Sequence, residues 1–131
     1  MREVKYKAYI KEMNLVLPVL SIQFDFKKVE VPATYSNHID TEYFNFEQVE
    51  LIQYTGLKDS KGNGIYEGDI VKISNHPFQG SIDINGNYEI YYNEYMELSC
   101  GGWYLHRMKH WAEVIGNKFE NPELLKGADK E

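Results

Sequence analysis

Apolar and polar residues alternate along much of the first third of the chain, and this two-residue period predicts β-strands with one buried face. Residues 4–10 follow it, and residues 20–26 show it most clearly. A turn at residues 27–28 leads to a return strand at 29–31, so a β-hairpin is the simplest account of this stretch. Pro18 lacks an N–H to donate and therefore indicates a sheet edge or a break.

The middle of the chain contains a stretch without periodicity and then a glycine-rich turn. Residues 32–47 predict a long loop, with a short helix near 39–44, and such loops are often functional or mobile. Residues 49–54 predict a strand, and the polar residues 55–64 predict a turn. Tyr66-Glu67-Gly68-Asp69 then opens the next strand.

Short strands dominate the rest of the chain. They are predicted at residues 69–73, 78–84, 88–92, 95–98, 103–107 and 111–117. Asn85-Gly86 is the strongest signal for a tight hairpin turn, and Asn121-Pro122 predicts a single helical turn near the end. Short strands at this spacing, without a long helix, favour an SH3-like small barrel.

The predicted fold is therefore mainly β with little helix. We expect one domain over residues 1–131, with two subdomains as an alternative description of the same chain. An N-terminal antiparallel hairpin or sheet would occupy residues 1–54. It would be joined to a C-terminal SH3-like small β-barrel over residues 65–119.

Composition limits the classes of partner. The net charge of −6 argues against a large nonspecific nucleic-acid surface, although lysines near the N-terminus leave a local basic patch open. No run of about 18 apolar residues occurs, so we expect no membrane span. The single cysteine cannot form an internal disulfide, which favours a reducing cytoplasm. Eleven tyrosines suit strands and also protein interfaces.

The carboxylates of the central stretch suggest two kinds of site, and a structural role is favoured for both. Residues 59–70 resemble a calcium loop, but Lys61 stands at its third position and Ile70 at its twelfth, where oxygen ligands are needed. Glu67 and Asp69 share one side of a strand and suggest an acid and a base. A turn in which Asp69 binds backbone amides is favoured instead.

Other candidate groups lie near the C-terminal end. His106 and His110 would share a face on a helix and could then hold a metal, but the predicted strand and turn favour structural or solvent-facing histidines. Cys100 suggests a nucleophile, and a buried structural cysteine is favoured. Six aromatic residues suggest a stacking surface, although most are expected to pack in the core: Tyr88, Tyr91, Tyr92, Trp103, Tyr104 and Trp111.

The central stretch resembles the signature of the YopX family of small phage- and prophage-encoded proteins. The residues that carry the resemblance are Tyr54, Thr55, Gly56, Leu57, Asp59, Gly62, Ile65, Tyr66, Glu67, Gly68 and Asp69. Residues 2–8, 113–117 and 120–125 agree with the family as well, whereas Tyr9 stands where the family often has Trp and residues 32–47 carry no family motif. The resemblance implies a β-rich fold, a phage or prophage origin and a bacterial cytoplasm. It transfers no catalytic or binding residue, so we interpret the motif as structural.

Three hypotheses for function follow. The leading one is a noncatalytic phage accessory protein that acts as a protein-interaction module, without cofactor or metal. The alternative is a nucleic-acid-binding small-barrel module, against which the net acidity counts. The third is an enzyme that uses groups from residues 32–47 and 106–110; we predict that the protein is not an enzyme. Homo-oligomerisation is a separate prediction, because edge strands and surplus aromatic residues need cover.

Overall fold

The fold is mainly β. The structure is a computed structural model that describes residues 4–34, 40–77 and 84–126. Of these residues, 52% lie in strands and 12% in helices, which confirms the predicted class. The chain divides into two compact units, one ending at Gln53 and the other beginning at Tyr54. No helix in the described ranges is long and apolar enough to cross a membrane.

The N-terminal unit contains two antiparallel sets of strands. Its strands are β1 (Tyr6–Ile10), β2 (Leu15–Pro18), β3 (Ser21–Gln23), β4 (Lys28–Pro32), β5 (Thr41–Asn45) and the first part of β6 (Val49–Lys58). β1 pairs with β2 and β6, and β4 pairs with β3 and β5. The alternation in β1 buries Ala8 and Ile10 completely, and they pack with Val29, Val31 and Phe44 in one core.

Two predictions for this unit are wrong. The strand expected at 20–26 ends at Gln23, since the chain turns there and Lys27 N donates a hydrogen bond to Phe24 O at 3.3 Å. The loop and helix expected over 32–47 are replaced in part by β5, because Phe44 opposes Val29 and is buried against it. A 3-10 turn at Phe46–Gln48 follows β5. Part of the expected helix, at residue 39, lies outside the described residues.

The C-terminal unit contains a five-stranded antiparallel sheet. Its strands are β8 (Asp69–Ile73), β9 (Gly86–Tyr92), β10 (Leu98–Cys100), β11 (Trp103–Tyr104) and β12 (Ala112–Asn117), and their order is β11-β10-β9-β8-β12. Outside this sheet, β7 (Gly64–Tyr66) pairs with the end of β6. Two short helices, α1 (Leu105–Met108) and α2 (Glu123–Lys126), and a 3-10 turn at Lys109–Trp111 complete the unit. Closure of the strands into an SH3-like barrel stays a prediction.

Four features of this unit differ from the sequence-based predictions. β6 continues to Lys58, so the turn begins at Asp59 rather than residue 55. Gly86 opposes Ile73 as the first residue of β9, so Asn85-Gly86 is not a tight hairpin turn. The strand expected at 78–84 falls on residues that the structure does not describe, except Ile84, which lies outside a strand.

The third difference concerns the strand expected at residues 95–98. Asn93 Oδ1 accepts hydrogen bonds from Tyr95 N and Glu97 N, which extends the turn and delays β10 to Leu98. Residues 105–107 form the start of α1 instead of a strand. Leu105 and Met108, three residues apart, are both buried by this helical turn, so the gain from burial outweighs the local strand preference.

Candidate binding site: two cavities that share His106

The segment from Trp103 to Trp111 supplies most of the candidate site. In α1, Leu105 and Met108 point into the core, which leaves His106 and Arg107 exposed on the other side. In β11, Trp103 and Tyr104 are adjacent and therefore point to opposite faces of the strand. The change from strand to helix thus presents aromatic and cationic side chains around a short stretch of backbone.

A first cavity of about 530 Å³ lies beside this segment. Its lining residues are His76, Ile84, Trp103, His106, Arg107, Met108, His110 and Trp111. Its lining is largely apolar and aromatic, and we call the exposed side chains of His106, Arg107 and His110 its rim. Its volume lies within the range of ordinary ligand sites, and so does this combination of apolar walls with a few polar groups.

Contacts around the two tryptophans hold the walls of the first cavity. The Trp111 ring lies 4.4 Å from the His76 ring, measured between centroids, and 6.1 Å from the His110 ring. The Trp103 ring makes an edge-to-face contact with Tyr88 at 5.7 Å, and Tyr88 Oη donates a hydrogen bond to Ile84 O at 2.6 Å. Rings fixed in this way lose little conformational entropy when a ligand binds.

A second cavity, of about 540 Å³, shares His106 with the first. It is also lined by Thr55, Leu57, Glu97, Leu98 and Tyr104. The Tyr104 and His106 rings stack with centroids 6.1 Å apart, and Tyr104 Oη donates to Glu97 Oε2 at 3.4 Å. Glu97 Oε1 also accepts a hydrogen bond from Asn93 Nδ2 at 2.8 Å. Trp103 therefore lines one cavity, its neighbour Tyr104 lines the other, and His106 belongs to both.

The reactive groups considered from sequence have different environments. Cys100 is completely buried, and burial raises the pKa of its thiol to about 12, so the thiolate is disfavoured. Among the described residues, no group of three or more histidine, cysteine or acidic side chains is placed to hold a metal. His106 and His110 lie on the helical segment and share the rim of the first cavity, whereas a strand and turn were expected there.

Comparison with known proteins gives the family. Residues 5–126 match the family model described as YopX protein. The chain belongs to the YopX family. Its structure is also similar to the crystal structure of protein EF1440 from Enterococcus faecalis, with a TM-score of 0.65 and 23% sequence identity, over 95% of this chain and 99% of that one. At this identity the likeness shows a shared fold. None of the curated proteins matches the chain.

The YopX motif residues occupy consecutive elements of the C-terminal unit. Tyr54, Thr55, Gly56 and Leu57 lie in β6, Asp59 and Gly62 in the following turn, Ile65 and Tyr66 in β7, Glu67 and Gly68 in the next turn, and Asp69 in β8. Asp69 Oδ2 accepts a hydrogen bond from Tyr66 N at 2.8 Å, as the turn interpretation expects. Gly68 has φ +89°, and a Cβ there would lie 2.9 Å from the Phe119 ring, so this position requires glycine.

Two members of the YopX motif also line the second cavity. Thr55 Oγ1 donates a hydrogen bond to Ile65 O at 2.7 Å and accepts one from Leu57 N at 3.1 Å. These bonds fix the backbone where Thr55 and Leu57 border the cavity. The motif therefore connects the structural turn to the candidate site, a role that the sequence did not reveal.

The first cavity itself was missed by reasoning from sequence. His76 and Ile84 contribute to it from positions distant in the chain, and only packing brings them beside Trp111. A compositional signal was present, however. Both tryptophans of the chain and two of its four histidines fall between residues 103 and 111.

Proposed function

We propose that this YopX protein is a noncatalytic protein-interaction module that binds a segment of a partner protein in the first cavity. The observation that carries the proposal is the cavity walled by Trp103 and Trp111 with Arg107 on its rim. Tryptophan and arginine are the residues that most often dominate the energy of protein interfaces, and they do so in pockets that exclude water. An apolar side chain of a partner fits such walls.

The burial and hydrogen bonding of the reactive groups support a noncatalytic role. Asp59 and Asp69 are nearly buried and bind backbone amides, which gives them a structural task. Cys100 is held as a neutral, buried thiol. The family resemblance implies that the module is encoded by a phage or prophage and works in the bacterial cytoplasm, and we include both in the proposal.

Nucleic-acid binding is the second candidate. Exposed Arg107, with histidines and two tryptophans near it, would suit stacking and phosphate contacts. The net charge of −6 counts against it, because binding along a strand relies on several clustered cations. A salt titration with labelled single and double strands decides this point. Micromolar binding at low salt that weakens as salt rises would favour the nucleic-acid module over a protein-binding one.

The proposed function is tested by partner capture with matched baits. Tagged wild-type protein, Arg107→Glu and Lys61→Glu are used to capture proteins from bacteria that carry a YopX-encoding prophage. Arg107 is an exposed rim residue, and Lys61 is an exposed residue in the turn at residues 59–63, so both charge reversals leave the core unchanged. We expect a partner that wild type and Lys61→Glu retain and Arg107→Glu loses. The same proteins on all three baits would show that the cavity is not the interaction site.

A further inference from the structure

We infer, on the basis of the proposed function, that the partner segment is an extended peptide with acidic residues beside an apolar anchor. The anchor enters the first cavity between Trp103 and Trp111, and the neighbouring carboxylates meet the Arg107 guanidinium. The segment then passes His106 and enters the second cavity, where Glu97 meets a basic or hydrogen-bond-donating side chain. The two cavities are therefore two subsites of one site.

The charge of the rim selects acidic neighbours for the anchor. The protein carries a net charge of −6 with its histidines counted as neutral, yet the first cavity is lined by Arg107, whose guanidinium is always charged. Among the described residues that line this cavity, none is acidic. Complementary charge of this kind chooses the partner and its orientation, and arginine pairs with a carboxylate through two parallel hydrogen bonds. An acidic segment is therefore favoured here over a basic one.

The walls of the first cavity select an apolar anchor. Trp103, Trp111, Ile84 and Met108 give it apolar surfaces on several sides. An apolar side chain leaves water on entering these walls, whereas a basic side chain would be desolvated there with no carboxylate to pair with among the described lining residues. The contacts of Tyr88 and His76 with the two tryptophans keep the walls in place before a ligand arrives.

Both cavities are lined by His106, so the proposed site extends beyond the cavity that holds the apolar anchor. Among the described strands, β11 lies at the edge of its sheet, and its two residues, Trp103 and Tyr104, line one cavity each. An extended segment beside such an edge also sends alternate side chains to opposite faces, as peptides do when they add to a sheet. Glu97 places negative charge at the far subsite, so the segment has opposite charge preferences at its two ends.

Selection from a random peptide library displayed on filamentous phage tests the preference directly. Wild type, Lys61→Glu and Arg107→Glu serve as separate baits, and the retained sequences are compared. We expect wild type and Lys61→Glu to enrich an apolar or aromatic anchor with Asp or Glu beside it, and Arg107→Glu to lose that acidic preference. A consensus without acidic residues, or one rich in Lys and Arg, would overturn the inference, while the partner capture would still decide the proposed function.

A fluorescence titration with the synthesised consensus peptide locates the binding. The chain has two tryptophans and both line the first cavity, so their emission reports its occupancy. We expect a saturable change, and Arg107→Gln should weaken binding by about two- to fivefold, the effect of one exposed ion pair. The Lys61→Gln control should bind as wild type does. Binding without a change in emission would place the peptide elsewhere and overturn both the inference and the proposed function.

Truncation of the peptide tests the second subsite. Glu97→Gln should weaken a consensus peptide that reaches the second cavity by about two- to fivefold, and should leave unchanged a peptide cut back to the anchor and its acidic neighbours. Equal effects on both peptides would show that the second cavity is not part of the site. If oligothymidylate saturates the same signal at lower concentration than the peptides, the site recognises nucleic acid and the inference fails.

Discussion

Asp59 joins the glycine-rich turn to strand β12, and its replacement tests whether the YopX motif acts through hydrogen bonds. Its Oδ1 accepts from Lys61 N at 2.9 Å and from Asn63 N at 2.8 Å. Its Oδ2 accepts from Val114 N at 2.8 Å and from Asn63 Nδ2 at 3.4 Å. Asp59 is only 7% exposed, so water has little access to its carboxylate.

The two carboxylate oxygens of Asp59 accept from different donors, so two substitutions can divide the loss of stability between them. Asp59→Asn keeps an acceptor for the turn but places an NH₂ group against Val114 N, so we expect a loss of about 1–3 kcal/mol in the free energy of unfolding. Asp59→Ala also removes the acceptor for Lys61 N and Asn63 N, which lie in an exposed turn where water can partly substitute. The total for Asp59→Ala is then about 2–4 kcal/mol.

The carboxylate also makes stability depend on pH. Burial, the largest single effect, raises the pKa of Asp59, but the hydrogen bonds from Val114, Asn63 and Lys61 together hold that pKa below its usual 3.8. A lowered pKa in the folded state contributes stability above the unfolded value, and that contribution is lost as the pH falls through the folded value. The difference between wild type and Asp59→Asn should therefore be largest at neutral pH and shrink as the pH falls below 3.8.

Urea unfolding followed by tryptophan fluorescence measures these differences. Both tryptophans lie in the unit that begins at Tyr54, so the signal reports the unit that contains Asp59. Glu94→Gln is the matched control, since Glu94 is an exposed carboxylate in the turn before β10. It should change the free energy of unfolding by less than about 0.5 kcal/mol. An Asp59→Asn variant as stable as this control at neutral pH would refute the reasoning.

Three further predictions concern other positions. Cys100 should react with a thiol reagent only after urea unfolds the protein, since it is buried and its pKa is about 12; rapid labelling of the native protein would contradict this. Gly101→Ala should lower stability by about 2–4 kcal/mol and shift tryptophan emission, because φ is +63° and the new Cβ would lie 2.6 Å from Tyr88 Cδ1. An unchanged urea midpoint would count against it. Phe26→Ser, at a side chain 72% exposed, should change stability by less than about 0.5 kcal/mol. Light scattering on wild type and on Phe26→Ser tests the predicted homo-oligomerisation. A wild-type protein that is a monomer at high concentration would refute it.

Local pattern was sufficient for several parts of the molecule. Alternation in residues 4–10 placed Ala8 and Ile10 on the buried face, and the strand at 69–73 has the bounds that its sequence predicts. The turn at Asp59 was also predictable, because glycine and short polar side chains favour turn angles whatever lies nearby. The motif was specific enough to indicate the family. These features depend on neighbours in sequence, so the sequence alone determined them.

Tertiary structure decided the elements whose partners are distant in the chain. Residues 41–45 became a strand because β4 offers its edge and Phe44 is buried there, although their own pattern is irregular. Residues 105–108 became a helix because that conformation buries both Leu105 and Met108. The candidate site needs His76, Ile84 and Trp111 in one place, and nothing in the local sequence of any of them specifies the others. Such a cavity arises from packing, which local preference does not encode.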